Sequence, residues 1–325
     1  MRESRYDVVG IGNALVDVQS RESDAFIIEH GLNRGSMTLI DEDRAKVLYD
    51  AIGTAREESG GSAANTLAGV ASFGGSAAFI GKVRNDQLGD IFVHDIRATG
   101  VDFWTASATK GPQTGCSLIV VTEDGERTMN TYLGAAQNLS PEDVDPGIIQ
   151  AAKVTYLEGY LWDPPLAKDA FLKAAGLAHA ADRAVSLSLS DPFCVDRYRE
   201  EFTNLVHREI DILFANEDEL LSLYQTEDLN AAIADVRKYC ALAAVTRSAR
   251  GSIIITEEAV LQIPADPVAS VVDSTGAGDQ YAAGFLFGWS QGMSLQRCGA
   301  LGSAAAAEVI QHFGARPEIH YSTLL

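Results

Sequence analysis

A glycine-rich turn followed by an aspartate carries the clearest chemical signal in this sequence. Gly276, Ala277 and Gly278 leave the backbone almost uncovered, and the pattern after Asp279 predicts a helix. The first N–H groups of a helix lack intrahelical partners and carry partial positive charge, so this turn could bind a phosphate group. An acid at the same place could accept a proton from a hydroxyl that attacks the phosphate. From the turn alone, a structural helix start with Asp279 as a favourable first-turn acid is an equally good interpretation.

The elements beside this turn would fix its geometry. The β-branched run 267–272 predicts a buried strand that leads into the turn. Tyr281, Phe285 and Trp289 recur at four-residue spacing and predict that a helix follows. Together these patterns indicate a strand, a tight turn and the first turn of a helix, which is the arrangement that a backbone phosphate site needs.

The composition limits what the protein can bind. The chain has 325 residues, 46% of them hydrophobic, so it can bury a large core in two domains or in one α/β unit with an appendage. Its 25 basic and 45 acidic side chains give a formal net charge of −20. We therefore expect neither a nucleic acid nor an anionic membrane surface as a partner. A small phosphorylated ligand remains compatible, because backbone N–H groups and a divalent cation can hold it.

The sequence also predicts a cytoplasmic protein. Residues 1–7 are polar, and no apolar run approaches the ~20 residues that span a bilayer. The four cysteines lie far apart without a Cys-x-x-Cys pair, as expected for buried or free thiols in a reducing compartment. The six histidines do not have the spacing of zinc ligands.

A second acid follows the first predicted strand. The run 6–12 is apolar and ends in glycine, and Asp17 lies just beyond it. An acid at the C-terminal edge of a strand could accept two hydrogen bonds from a vicinal diol; an ordinary loop aspartate is the other interpretation. Gly10-Ile11-Gly12 resembles a dinucleotide-binding motif only weakly, because Leu15 stands where a third glycine is needed.

Polar residues also begin a predicted alanine-rich helix. Gly61 allows close backbone approach, and Ser62 and Asn65 lie on one face of the first helical turn. Side chains placed in this way could bind the hydroxyls of a sugar. The alternative is that Ser62 only caps the helix.

A hairpin interrupts the pattern of the remaining chain. The strand patterns 115–122 and 127–133 flank an Asp-Gly pair, which predicts a β-hairpin. A hairpin inside an alternation of strands and helices indicates a separate small sheet. Arg127, at the base of the hairpin, is either a surface charge or a lid residue that contacts phosphate.

Strands and helices otherwise alternate regularly, which predicts a large, mainly parallel sheet with helices on both faces. Ligands bind beyond the C-terminal ends of the strands in such a sheet. The side chains expected there are Asp17, Tyr160, Asn216, Glu219, Thr246 and Asp279. Asn216 and Glu219 are three residues apart at a helix start, where their oxygens suit hydrated Mg²⁺; a solvated helix cap is the alternative.

Three motifs together resemble the signatures of the ribokinase-like (PfkB-type) carbohydrate kinase family, and the resemblance covers nearly the whole chain. They are Gly60-Gly61-Ser62-Ala63-Ala64-Asn65, Asn216-Glu217-Asp218-Glu219 and Asp273-Ser274-Thr275-Gly276-Ala277-Gly278-Asp279. Within the family, the chain resembles adenosine kinases most. That resemblance rests on Gly12-Asn13-Ala14-Leu15-Val16-Asp17 and on the runs 187–193 and 211–217.

The resemblance implies a ribokinase-like α/β fold and an activity. The large domain would comprise 1–17, 41–101 and 134–325, and a small β-sheet lid would comprise 18–40 and 102–133. The activity would be phosphoryl transfer from ATP to the 5′-hydroxyl of a nucleoside, with adenosine as the expected acceptor. Mg²⁺ is expected with ATP. The sequence leaves open whether a monovalent cation is required and whether the protein is a monomer or a homodimer.

The resemblance also implies roles for individual residues. Asp279 would accept the proton of the 5′-hydroxyl, while Gly276, Ala277 and Gly278 would stabilise charge on the transferring phosphate. The residues expected around the nucleoside are Asp17, Gly61, Ser62 and Asn65 at the ribose, Leu15, Met37, Leu39 and Tyr160 around the purine, and Arg127 on the lid. Those expected around ATP are Asn216, Thr246, Gly251, Ser303 and Ala306, with Asn216 and Glu219 holding Mg²⁺ through water.

Two positions depart from the family pattern. Ser274 stands where threonine is common, and Ser248 stands where many members have glycine, so the nucleotide loop could differ in shape. Three alternatives to a nucleoside kinase remain. They are a sugar kinase acting on ribose, fructose or another ketose, a non-catalytic nucleoside-binding homologue, and a dehydrogenase supported only by Gly10-Ile11-Gly12.

Overall fold

A computed structural model describes residues 4–325 as two β-sheets with helices packed around the larger one. The strands are β1 (Tyr6–Ile11), β2 (Leu15–Arg21), β3 (Met37–Leu39), β4 (Ala55–Gly60), β5 (Ala77–Ile80), β6 (Val101–Phe103), β7 (Thr114–Val121), β8 (Arg127–Gly134), β9 (Ala152–Glu158), β10 (Ala184–Ser188), β11 (Ile212–Asn216), β12 (Leu242–Thr246), β13 (Ser252–Thr256) and β14 (Val260–Ile263). The helices are α1 (Asp24–Glu29), α2 (Glu42–Ala51), α3 (Ser62–Ser72), α4 (Gln87–Ala98), α5 (Pro146–Gln150), α6 (Pro165–His179), α7 (Pro192–Arg208), α8 (Glu217–Tyr224), α9 (Leu229–Val236), α10 (Ala277–Ser290) and α11 (Leu295–Val309).

The larger sheet has nine strands in the order β14-β13-β12-β11-β10-β9-β1-β5-β6. Its strands are parallel except at one edge, where β13 pairs antiparallel with β12 and β14 pairs antiparallel with β13. Short apolar runs such as β9 and β12 are buried on both faces, as expected for the interior of a parallel sheet. The mainly parallel α/β fold predicted from the alternation is confirmed.

The helices form one layer on each face of this sheet. One buried cluster joins the sheet to α5–α9 and contains Phe171 and Phe202. The other joins it to α3, α4, α10 and α11 and contains Phe79, Phe92 and Phe285. Because α3 and α10 pack in the same layer, the two helix starts that the sequence marks as polar can meet.

The smaller sheet has five strands in the order β3-β8-β7-β2-β4. Its centre is the predicted hairpin, in which β7 and β8 pair antiparallel. The strands of the two sheets do not follow the segments expected for the large domain and the lid. Strand β4, from the segment expected in the large domain, lies in the small sheet, whereas β6 pairs with β5 in the large sheet. The division into a large domain and a movable lid stays a prediction.

One local prediction is wrong. The run 267–272 is not a strand, and Val271 is 62% exposed. The preceding strand β14 ends at Ile263 and two prolines follow, so the chain reaches the glycine turn 276–278 as an irregular segment. That segment is held by the end of α11, where the backbone N–H groups of Val272 and Asp273 donate to the carbonyl of Ile310.

Two further features bear on the setting of the protein. Within residues 4–325, no helix is both long and apolar enough to cross a membrane. All four cysteines are free thiols, three of them buried and Cys194 half-buried.

Candidate active site

The glycine turn and the start of α10 form the centre of the candidate site. Gly276 is the N-cap of α10 with φ 78°, a left-handed conformation that favours glycine. A Cβ on Gly276 would lie 2.7 Å from the Cα of Ala315, so any larger residue would displace the neighbouring chain. A Cβ on Gly278 would meet nothing within 4 Å, so this side of the turn is open. The N-terminal N–H groups of α10 are therefore accessible to an anion.

Asp279 faces the start of α3. Its Oδ1 accepts a hydrogen bond of 2.6 Å from the hydroxyl of Ser62, and its Oδ2 lies 3.5 Å from Nδ2 of Asn65. Burial raises the pKa of Asp279 to about 6, against the effect of these hydrogen bonds and of Arg316. A carboxylate with this pKa is ionised at neutral pH and is a better proton acceptor than an exposed aspartate.

The start of α3 differs from the capping arrangement that Ser62 alone suggested. The N-cap is Gly61, with φ 95°, and Ser62 is the first helical residue. A Cβ on Gly61 would lie 2.1 Å from the carbonyl oxygen of Asn13, so only glycine fits. The hydroxyl of Ser62 consequently points to Asp279 instead of capping its own helix.

Asp17 lies within β2 of the small sheet, whereas the sequence placed it in a loop beyond a strand of the large one. The chain passes from β1 to β2 through only three residues, which brings Asp17 opposite Glu58 of β4. Burial raises the pKa of Asp17 to about 7; the charges of Glu58 and Asp279 also raise it, and those of Arg316 and Arg127 lower it. Asp17 and Asp279 thus belong to one electrostatic site.

Glu158, at the end of β9, is a buried acid that sequence reasoning missed. Its side chain accepts hydrogen bonds from the backbone N–H and Nδ2 of Asn13, at 3.2 and 2.7 Å, and from the N–H of Ala63, at 2.8 Å. Burial raises its pKa to about 7. Glu158 ties β1, β9 and α3 together beneath the site. A Cβ on Gly12 would lie 2.3 Å from its Oε2, which gives the Gly-Ile-Gly run a packing role.

The expected purine-contacting residues are only partly brought together. Tyr160 follows β9 in a 3₁₀ turn, and the charges of Asp279 and Glu219 both act on its hydroxyl. Leu15 is buried and packs near Gly115 of β7. Met37 and Leu39 are 47% and 48% exposed on β3, the edge strand of the small sheet. No contact described for residues 4–325 links these last two side chains to Asp279, and their role stays a prediction.

Arg127 is neither a surface charge nor a free phosphate ligand in this structure. Its guanidinium forms an ion pair with Asp273, and the two side chains are only 9% and 3% exposed. Asp273 also accepts hydrogen bonds of 3.0 Å from the backbone N–H groups of Thr275 and Gly314. The pair therefore connects the hairpin of the small sheet to the segment that leads into the glycine turn.

Asn216 and Glu219 form a capping box at the start of α8. Oδ1 of Asn216 accepts from the N–H of Glu219 at 2.8 Å, and both oxygens of Glu219 accept from Asn216, at 2.7 and 2.9 Å. These bonds occupy the oxygens that direct metal coordination would need. Throughout residues 4–325, no cluster of three or more acidic, histidine or cysteine side chains could hold a metal. The pair fits Mg²⁺ only through intervening water.

The residues expected near ATP lie toward the side of the large sheet that is formed by β11 to β14. Thr246 ends β12, and a short turn leads from it to Gly251, whose Cα faces the backbone at 263–265. The hydroxyl of Ser303 on α11 donates to the carbonyl of Pro264 at 3.0 Å, so Gly251 and Ser303 meet at that backbone segment. Ala306 lies one turn further along α11 and is half-buried. Ser248 keeps a left-handed φ of 51°, which explains why glycine suits this position.

Arg316 is the second residue that sequence reasoning missed. Its Nε donates to Oδ1 of Asn65 at 2.7 Å, and its Nη2 donates to the hydroxyl of Ser59 at 3.0 Å. Burial lowers its pKa, whereas Asp17 and Asp279 are among the acids that raise it. A single arginine after the last long helix gave no signal in the sequence, because its partners lie some 250 residues earlier.

Comparison with known proteins shows which family and which solved structures the chain resembles. Residues 36–320 match the family described as pfkB family carbohydrate kinase. The adenosine kinase of Schizophyllum commune is 29% identical to this chain over 96% of each sequence.

Two solved structures resemble the whole chain. The adenosine kinase from Sinorhizobium meliloti has a TM-score of 0.91 at 53% identity, covering 99% of this chain and 98% of that one. A probable sugar kinase protein from Rhizobium etli has a TM-score of 0.92 at 52% identity, with the same coverage.

Proposed function

This chain belongs to the pfkB family of carbohydrate kinases, and we propose that it transfers the γ-phosphate of ATP to the 5′-hydroxyl of adenosine. The family and its adenosine kinase relatives make the protein a phosphotransferase with an alcohol group as acceptor. ATP is the co-substrate that such kinases use. The identity of the acceptor and the roles of individual residues are the parts that we propose.

The contact between Asp279 and Ser62 is the observation that carries the proposal. It joins an acid at the N-terminus of α10 to the polar start of α3 at 2.6 Å. A hydroxyl bound at the start of α3 would therefore lie next to a proton acceptor and next to the open N–H groups of Gly276–Gly278. Both groups that phosphoryl transfer needs, a base and an anion hole, converge on one point.

In the proposed reaction, Asp279 accepts the proton of the 5′-hydroxyl as that oxygen attacks the γ-phosphate. The backbone N–H groups at the start of α10 stabilise the charge on the transferring group. Asp17 and Asn65, together with Gly61, hold the ribose hydroxyls and so orient the attacking oxygen. Positioning of this kind contributes much of the rate in phosphoryl transfer, because little covalent chemistry is left to the protein.

At the nucleotide end, ATP would lie between the turn 248–251 and α11, close to Thr246, Ser303 and Ala306. Asn216 and Glu219 would hold waters of a hydrated Mg²⁺. Mg²⁺ supplies neutralisation of the phosphate charge when it is bound. The capping box supports this placement, because it fixes both side chains in a single orientation at the C-terminal edge of β11.

The small sheet would act as a lid over the acceptor. Leu15 and Tyr160 would contact the purine, with Met37 and Leu39 reaching it when the lid closes. Arg127 would move with the hairpin, and release from Asp273 would free it for phosphate. Closure of this kind excludes water and limits wasteful hydrolysis of ATP.

Measurement of ADP release with ATP and Mg²⁺ tests the proposal. The acceptors to compare are adenosine, inosine, guanosine, ribose and fructose, with Asp279→Asn measured in parallel. We expect turnover with adenosine that the substitution abolishes. Turnover with a free sugar alone would reject the nucleoside, and the resemblance to the probable sugar kinase of Rhizobium etli makes that the second candidate. Activity that survives Asp279→Asn would reject Asp279 as the base.

A further inference from the structure

The segment 314–316 after α11 touches the catalytic turn at three points. The N–H of Gly314 donates to Asp273 at 3.0 Å, and Ala315 packs against Gly276. The buried amide of Gln280, next to Asp279 in sequence, donates to the carbonyl of Ala315 at 2.8 Å and to that of Asn65 at 3.0 Å. This backbone is consequently fixed to both α3 and α10, and the position of the next residue, Arg316, follows from it.

From this anchored position Arg316 reaches the start of α3. The bond from its Nε to Oδ1 of Asn65 measures 2.7 Å, and further bonds from Nη2 hold it to Ser59, at the end of β4. Ser59 is fixed in turn, because its hydroxyl donates to Asp95 at 2.5 Å. The guanidinium is thus held on two sides and has little freedom to turn.

We propose that Arg316 is a positioning residue for phosphoryl transfer, because its guanidinium fixes the side-chain amide of Asn65 in one of two possible orientations. Arginine has five N–H donors and no acceptor, so the atom of Asn65 that faces it must be the oxygen. The NH₂ group of Asn65 then faces Oδ2 of Asp279, 3.5 Å away. The opposite orientation would place an amide oxygen beside the ionised carboxylate, which is repulsive.

The charge of Arg316 supports the same role. The charged groups that act on Asp17 or Asp279 are Arg316, Arg127 and Glu58, in addition to the effect of Asp279 on Asp17. The titratable groups on which one of the two acids acts in turn are Glu158, Cys116, Tyr156 and Tyr160. Of the two cations in this set, only Arg316 is also hydrogen-bonded to a residue that faces Asp279. Removing Arg316 takes away a positive charge that stabilises the ionised forms of Asp17 and Asp279, so both acids would ionise at a higher pH.

The inference rests on the proposed function, and three variants test it by steady-state kinetics with adenosine from pH 5 to 9. We expect Arg316→Met to raise KM about tenfold and to move the acid limb of kcat/KM to higher pH by about one unit. Arg316→Lys keeps the charge, but an ammonium group cannot reproduce the hydrogen bonds of the planar guanidinium. This variant should therefore raise KM while leaving the acid limb in place. Arg297→Met is the control, because this exposed arginine on α11 also donates to a backbone carbonyl but lies away from the acids.

The possible outcomes separate the inference from the proposed function. Wild-type protein that turns over no nucleoside would refute the function. Suppose that the wild-type protein turns over adenosine and that Arg316→Met leaves both KM and the acid limb unchanged. Arg316 would then be only structural, even if the variant had a lower Tm. If Arg316→Met does not fold, Arg316→Lys decides, since a wild-type KM in that variant overturns the inference.

Discussion

The two ends of the candidate site are assembled in different ways. At the acceptor end, Ser62 meets Asp279 across 217 residues, and Arg316 meets Asn65 across 251. At the nucleotide end, the capping box at the start of α8 joins residues only three apart, and the turn 248–251 closes on itself.

This difference has a physical consequence. Contacts between distant segments form only when every intervening element is in place, so a change at the acceptor end disturbs α3, α10 and the small sheet together. Contacts between neighbours form locally and are largely independent of the remaining fold. We therefore expect large effects at the acceptor end and small effects at the nucleotide end.

The largest effect is expected from Asp279→Asn. The substitution keeps the side chain's size and an oxygen that can accept from Ser62, but it removes the proton acceptor. We expect kcat to fall by about 10³-fold, within the usual range for a general base. Because burial raises the pKa of Asp279 to about 6, the ionised acid opposes folding at neutral pH, and the substitution should not lower Tm. Steady-state kinetics and thermal unfolding measure the two quantities. The exposed Asp266→Asn is the control, and a similar loss there would contradict a specific role for Asp279.

The next largest effect is expected from Gly61→Ala on the free energy of unfolding. The new Cβ would lie 2.1 Å from the carbonyl oxygen of Asn13, at a φ of 95°. We expect a loss of about 3 kcal/mol in urea unfolding, from backbone strain and overlap together. Gly74→Ala is the matched control, because it has φ 93° and nothing within 4 Å, so it should lose only about 1 kcal/mol. Equal losses would mean that the approach of Asn13 does not matter.

Asp17→Asn should raise stability in a pH-dependent way while weakening substrate binding. Folding raises the pKa of Asp17 to about 7, so the folded protein holds the proton more tightly than the unfolded chain does. The ionised acid therefore opposes folding as pH rises from about 4 to 7. A shift of about three pKa units sets an upper bound of about 4 kcal/mol on the gain from asparagine at pH 8. Urea unfolding at pH 4.5 and pH 8 measures this. A gain that is the same at both pH values would contradict the prediction. The exposed Asp50→Asn is the control for the loss of one acidic side chain at the surface.

The smallest effect is expected at the nucleotide end, from Ser248→Gly. Ser248 has a φ of 51°, which glycine adopts without strain. We expect the free energy of unfolding to increase by up to about 1 kcal/mol, which would be seen as a small rise in Tm. The KM for the nucleoside should not change. A changed nucleoside KM would show that the two ends are coupled, and the contrast between them would no longer hold.

Much of the fold could be predicted because its signals are local. The alternation of apolar runs and helical patterns predicted the parallel sheet, and the Asp-Gly pair predicted the β7–β8 hairpin. The β-branched run 267–272 misled, because β-branched residues also occur in exposed irregular segments and periodicity cannot tell the two apart. Ser62 left two interpretations open, because a serine near a helix start can cap the helix or point away from it, and only the structure shows that its hydroxyl donates to Asp279.

Taken by itself, the sequence determined the family, the class of kinase and the glycine turn at the start of a helix, because short motifs specify backbone conformations at fixed spacing. Only the tertiary structure decided that Asp17 lies in the small sheet, that Arg127 pairs with Asp273, and that Glu158 and Arg316 belong beside the site. Each of these facts depends on which distant segments become neighbours. A buried acid or arginine carries no local pattern, because its partner is set by the packing of the whole chain.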